Sequence, residues 1–451
     1  MEINPSMPNI SVSQPPGGYH FSGATATPVD SFSKSTPSGS GIYSPQKFQE
    51  VFENAGEEWT FKMPPGDHCK GFVMGNEGSL YATTHNKIIK VDTTNGKLQW
   101  EKGCPSGVSS MPPKVTREGA ALVTTDDGYL MAFDPADGHR QWSYHTTTTG
   151  THPFVSPDGT ILCQRDDELC ALSSDGKKKW SFKMNTNDMR IDGAQDDGTV
   201  FAVNSRGVHA VSGKGSSQWF HPCTNGGCIA VHNDNVYITA ARDELRALDP
   251  ATGREKWKIP LGEAGVIAGN DGVLAIQGHM QFRVIDPKDG ASIWAVSTKD
   301  DERIKAIDNR GTVITGSRDN HIRAYDRNTG KVLWTYKAES STVDGQARFD
   351  SKGRLLISDR NNIYGIDPMN GNLQYRSHSR SRITSWGLDE KNSLILLQGA
   401  DSGKVTGVNY RTFETTSHEE FKKDYDITEE DKVIEGPGFV VIGGVKLKQK
   451  S

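Results

Sequence analysis

Eight tryptophans stand at nearly constant spacing, at positions 59, 100, 142, 180, 219, 257, 294 and 334, and Tyr375 continues the series. Successive members lie 37 to 42 residues apart. A fixed period near 40 marks a repeat architecture and settles the fold before any domain count is attempted. The most regular part of each unit precedes the aromatic residue. Asp92-TTN-Gly96-KLQ-Trp100 has the form D-x3-G-x3-W, and the same form recurs at Asp134/Gly138/Trp142, Asp249/Gly253/Trp257, Asp286/Gly290/Trp294, Asp326/Gly330/Trp334 and Asp367/Gly371/Tyr375. The units ending at Trp180 and Trp219 are one residue shorter in this turn. An Asp carboxylate accepts backbone N–H bonds of its own turn, and a following Pro fixes φ. The Gly supplies a positive φ that closes the hairpin with a bulge. The aromatic residue then returns on the last strand, free to pack on a neighbouring sheet.

Each unit carries four short strands, and four strands per roughly 40 residues is a propeller blade. Strand–turn–strand cores begin near residues 79, 120, 159, 198, 235, 272, 311, 353 and 393, which makes nine. The last core has no Trp strand after it, and the Trp59 strand has no core before it. Joining them closes the ring with strands from the two chain ends. The expected fold is all-β: a closed β-propeller of four-stranded blades, eight or nine in number, with the count favouring nine. Length alone, 451 residues, would suggest two or three domains. The repeat makes residues 57–416 one domain instead.

Segments such as Leu245-RALDPATGREKW and Ile322-RAYDRNTGKVLW resemble the repeat of PQQ-like β-propellers, over roughly residues 57–412. WD-repeat propellers differ, since none of the nine Trp is followed by Asp. The resemblance takes in two kinds of relative. Quinoprotein dehydrogenases hold PQQ and Ca²⁺ on the propeller axis, with a vicinal Cys-Cys pair, a Trp stacking plane and a carboxylate base. A lipoprotein of outer-membrane protein assembly has the same repeat and no quinone. This chain has no Cys-Cys pair, so the resemblance implies a member without PQQ.

The flanks differ from the repeat. Residues 1–45 hold ten Ser, three Thr, seven Pro and five Gly with three charges, a composition that buries too little apolar surface to order itself. The segment reads as a disordered tail, or as a non-Sec secretion leader of the kind borne by injected bacterial effectors. Residues 46–56 read as a short helix capped by Ser44 and Pro45, with Phe48, Val51 and Phe52 on one face and a stop at Gly56. Residues 417–451 form a charged extension ending in an apolar strand near Phe439-VVIGG. No run of 18 apolar residues exists, so no transmembrane helix is expected. The N-terminus lacks a basic n-region and an apolar h-region, which points to the cytoplasm, with non-Sec export as the alternative.

Candidate sites are weighed against local structure. The pairs Asp126-Asp127, Asp166-Asp167 and Asp196-Asp197 fall at hairpin turns, where Asp is favoured for its own backbone bonds. Cys163 and Cys170 flank QRDDEL and are expected opposite each other on paired strands, as reduced thiols. Cys223 and Cys228 flank Thr224-NGG. His145, His152, His221 and His232 are expected near inner strands but show no metal spacing. Neither a G-x-S-x-G elbow nor a phosphate loop occurs. No catalytic, cofactor or metal residue is therefore assigned. Arg190, Arg206, Arg242, Arg303, Arg318, Arg360 and Arg382 recur at blade edges and could form a ring for an acidic peptide or anion. A net charge of −5 argues against nucleic acid. The sequence thus describes a monomeric, non-enzymatic interaction scaffold with a protein partner. A PQQ-dependent oxidoreductase and an exported effector are the alternatives.

Overall fold

The computed structural model describes residues 57–409, apart from short stretches within that range, and the strands Lys432–Gly436 and Phe439–Gly443. The expected helix at 46–56 and the 1–45 tail lie outside the described residues. Nine four-stranded antiparallel sheets follow one another around a ring. Eight are continuous in sequence, from the blade of Gly71–Met74 to that of Leu373–His378. The ninth takes Ile383–Asp389, Leu394–Gly399 and Lys404–Asn409 from the C-terminal side and Glu57–Lys62 from the N-terminal side. Thr60 faces Thr406 in that ladder, with their hydroxyls 3.1 Å apart. The count of nine and the two-ended closure both hold. Blades are numbered 1 to 9 from Gly71–Met74.

First strands of adjacent blades lie side by side around the axis in most of the ring, and the last strand of each blade is the outer edge. The outer strands alternate, as in Leu98–Gly103, Ser217–Pro222 and Val332–Lys337, with the Trp as the one buried residue. Period-2 alternation with a single apolar inward position is what a half-covered edge strand requires.

The Trp joins one blade to the next. Its Nε1 donates to the carbonyl of the residue after the first turn residue of the following blade: Trp100 to Pro135 at 3.2 Å, Trp219 to Pro250 at 2.8 Å, Trp257 to Pro287 at 3.1 Å, Trp334 to Pro368 at 2.9 Å. Trp59 does the same to Thr93 at 2.6 Å, across the closure. The turn Gly of that following blade lies against the indole. A Cβ on Gly138 would stand 2.6 Å from Trp100 Cδ2, and one on Gly253 would stand 2.5 Å from Trp219 Cδ2. Gly96, Gly138, Gly253, Gly290, Gly330 and Gly371 all have φ between +66° and +76°. Each turn Gly thus meets two demands: a left-handed backbone and contact with a ring.

Within a blade, the residue paired with the aromatic is small in most cases: Ala132, Ala171, Ala210, Ala247, Ala324, Gly365 and Gly407. This accounts for the Ala of the repeat. Two departures follow from the sequence. Trp142 and Trp180 are half-buried while the other six are buried, because the turns that cover them, Ser173–Gly176 and Ser212–Gly215, are those one residue short. Tyr375 takes the place of Trp where the following blade has no such turn at all. In blade 9 the third and fourth strands come from opposite ends of the chain, so no turn carbonyl is placed there for an indole N–H.

The strand read at Phe439 is present, as the second half of a hairpin with Lys432–Gly436. This two-stranded sheet belongs to no blade.

Candidate interaction face

Alternating strand direction fixes where every connection emerges. Turns between second and third strands and the loops between blades share one end of the ring. First–second and third–fourth turns share the other. Arg206, Arg318 and Arg360 sit at second–third hairpin tips, Arg190 and Arg303 begin first strands, and Arg382 immediately precedes one. Six of the seven arginines are thus at the same end; Arg242 lies outside the described residues.

They do not form a ring of uncompensated cations. Arg303 Nη2 lies 3.0 Å and Arg318 Nε 2.9 Å from Asp301 Oδ2, and Asp344 is 3.9 Å from Arg303. Burial alone would raise the Asp301 carboxyl, but hydrogen bonds and charge from the two arginines hold it below the usual range. Beside them the buried Glu302 accepts from Thr315 Oγ1, from Tyr325 Oη at 2.8 Å and from Arg323 Nη1 at 3.4 Å. Burial and then Glu302 push the Tyr325 hydroxyl upward. Arg323 also pairs with Asp319. One blade on, Tyr364 Oη donates to Asp359 at 2.6 Å, Asn362 bonds Asp359 at 3.0 Å, and Arg376 bonds Asn362 at 3.0 Å and pairs with Glu339. These two networks lock the loops of blades 7 and 8 into one geometry. Arg206, Arg318, Arg360 and Arg382 remain exposed. The face therefore offers a mixed-sign relief on a rigid base.

Lys305 was not singled out by sequence. It is the extra residue of a bulge between Ile304 and Ala306 on the innermost strand of blade 7, is 4% exposed, and donates to the Val343 carbonyl. Burial, helped by Arg303, pulls its pKa from 10.5 down to about 7. The unfolded chain keeps this proton to higher pH, so folding is disfavoured by Lys305 below pH 7 and the penalty fades as pH rises toward 10.5. Lys305→Met should therefore raise stability at pH 6, by at most on the order of 3–5 kcal/mol. The gain over wild type should shrink steadily to pH 10 in urea titrations of the two proteins. A gain independent of pH would contradict a charged Lys305 in the fold at pH 6.

The remaining sequence candidates resolve into structure. Cys163 and Cys170 are direct cross-strand partners, both buried thiols. Burial pushes the Cys69 thiol up to about 12 and Cys104 up to about 11, and raises Cys163 and Cys170 as well. The five described thiols, Cys223 included, should react with a disulfide reagent at pH 8 at least 100-fold more slowly than a free thiol, and fully once the chain is unfolded. Cys223 follows an outer strand, Ser217–Pro222, and Cys228 lies outside the described residues. The histidine placement needs correction. His145 and His221 lie on outer strands, Arg140–His145 and Ser217–Pro222, because each follows its Trp on the edge strand. His232 is on an inner strand, Ile229–His232. The acidic pairs at 126, 166 and 196 occupy hairpin turns. Among the described residues, one group could gather around a metal: Asp134, Asp137 and His139, with ligand atoms within 4.8 Å of one another. Asp134 accepts from Ala136 N at 2.7 Å and Gln141 Nε2 at 2.8 Å, and Asp137 from His139 N at 2.9 Å. These oxygens serve their own turn.

Comparison with known proteins agrees with this architecture. The computationally designed Ika8 protein has a TM-score of 0.51 at 15% identity, covering 79% of this chain and 100% of that one, a likeness of fold. Tetrathionate hydrolase of Acidithiobacillus ferrooxidans is 25% identical over 345 residues, 67% of this chain and 65% of the relative. Outer membrane protein assembly factor BamB of Burkholderia pseudomallei is 29% identical over 130 residues, 28% of this chain and 32% of the relative. The chain thus spans 65% and 32% of the length of these two curated relatives. A family profile described as "Outer membrane protein assembly factor BamB" matches residues 50–259, 204–298 and 279–424. With nearly the whole ring inside those matches, and with the Trp-to-turn dock repeated blade after blade, the chain belongs to this family of PQQ-like β-propellers.

Proposed function

We propose that the chain is a non-catalytic propeller that binds a protein partner through the end carrying Arg206, Arg318, Arg360 and Arg382. The observation that carries this reading is the state of the tryptophans. A quinone bound on the axis needs a stacking plane. Eight of the nine indoles lie on outer strands, away from the axis, and donate to the turn of the next blade. The ninth, Trp386 on an inner strand, is 1% exposed with the Arg348 guanidinium 5.3 Å over its ring. Among the described residues no indole offers a free stacking plane, so they do not fit PQQ. The networks of blades 7 and 8 support a binding role, since ordered loops lower the entropy lost on association.

A quinoprotein oxidoreductase is the second reading. Burial lowers the Arg348 pKa, and an acidic group would be attracted there. The test runs in two arms. Titration with PQQ and Ca²⁺ and a dye-linked alcohol oxidation assay should give neither saturable binding nor turnover; both together would replace the scaffold reading. Affinity isolation with the intact face should yield a partner that is lost with Arg206→Glu, Arg360→Glu and Arg382→Glu combined, at unchanged melting temperature. Equal recovery by both proteins would exclude this face.

A further inference from the structure

The repeat provides its own standard for what an outer edge normally shows to solvent. The residue before the aromatic is Glu58, Gln99, Gln141, Lys179, Gln218, Lys256 and Gln374 in seven blades. In blades 6 and 7 it is Ile293 and Leu333, which are 38% and 53% exposed. Val332 beside it is 49% exposed, and Met369, 65% exposed, follows the Pro368 carbonyl to which Trp334 donates. The Trp334 bond to Pro368 places Met369 beside the outer strand that carries Leu333. Sheet edges are ordinarily guarded by charge against pairing with another strand. Lys178–Lys183 carries three lysines, the third at its last position, and Glu255–Pro260 carries a Glu, two lysines and a Pro. Ser292–Ser297 has no charge and Val332–Lys337 has only its final Lys. Two successive edges are unguarded and apolar.

The chain itself supplies a matching strand. It leaves blade 9, next to blade 8, at Asn409, and 22 residues separate that point from the hairpin of Lys432–Gly436 and Phe439–Gly443. Fully extended, those residues reach roughly 75 Å. The hairpin's second strand reads FVVIG. Among the described residues it pairs only with its partner strand, and an isolated two-stranded hairpin is marginal in water. We infer that Phe439–Gly443 docks along the outer edge Val332–Lys337 of blade 7 as an added strand, covering Val332, Leu333 and Met369. The C-terminal extension is then a latch on the ring.

Hydrogen exchange read by mass spectrometry tests this on the full chain, on a chain ending at residue 416, and on full-length Val332→Lys/Leu333→Lys. Lys is native at the equivalent positions 178 and 179, so the double variant keeps the fold. In the full chain, the edge amides of 332–337 should exchange at least tenfold more slowly than those of 178–183. Truncation should remove that protection, and the double variant should release 439–443 to free-peptide rates. Equal exchange in full and truncated chains overturns the inference. So does protection that survives truncation and rises with protein concentration, which would put a second copy on the edge. Should the double variant fail to fold, the truncation arm decides alone.

Discussion

Gly330→Ala should lower stability by about 2–5 kcal/mol, whereas Gly353→Ala should cost about 1–2 kcal/mol. Both glycines have positive φ, +66° and +76°, so both variants carry the left-handed strain of an L-residue. They differ in what a Cβ meets. At Gly330 it would stand 2.7 Å from Trp294 Cδ2; at Gly353 nothing lies within 4 Å. The difference between the two urea midpoints therefore isolates the dock between blades 6 and 7. Equal losses would mean that the indole gives way freely and that the dock contributes little.

Removing the indole of the next dock, where Trp334 of blade 7 meets Pro368 and Gly371 of blade 8, should have the largest effect of any single side chain. Trp334→Ala should cost about 3–5 kcal/mol, as a buried Trp does. The residue is 8% exposed, packs in the cluster with Ile314, Leu355 and Tyr364, and holds Pro368 at 2.9 Å. Trp180→Ala should cost less than half as much, because the short turn Ser212–Gly215 leaves that indole half-buried and its area is already partly in water. Thermal unfolding of both variants, followed by far-UV circular dichroism, orders them. Equal losses would separate exposure from stability and contradict the covering role of the turn.

These two sites also show how much could be read from residues alone. The period, the turn, the nine cores and the closure by both chain ends were legible because each blade repeats one local solution: an Asp that bonds its own turn, a Gly at positive φ, an aromatic on the edge. Repetition multiplies a weak signal. Packing of the indole on a neighbouring blade was legible from its constant phase; which neighbour it meets was not, since spacing along the chain does not separate the preceding blade from the following one. Tyr375 needed the ring closure before its departure from Trp made sense. The arginines were found as a set, yet their partners were missed. Asp301, Glu302 and Asp344 lie in loops between blades, outside the repeat, where nothing in the sequence fixes which carboxylate meets which guanidinium. Lys305 was invisible for a related reason: its burial depends on a bulge that no turn residue announces. His145 and His221, expected near inner strands, lie on the edge, as the phase of the neighbouring Trp requires.

The ladder between Glu57–Lys62 and Lys404–Asn409 has a consequence for how the molecule is made. Thr60 and Thr406 are 346 positions apart, so bringing them together costs about 5 kcal/mol in chain entropy beyond a constant, unless the blades between are already in place. Assembly that runs along the chain lowers this cost step by step, each new blade seating its turn on the indole before it. The strand that emerges first from the ribosome must then wait, unpaired, until almost the last residues of the ring arrive. Trp59 finds its turn at Thr93 early, which parks the waiting strand beside blade 1. The ring should thus stay open at a single gap until late in synthesis, and its closure joins the first and the last of the ring's own strands.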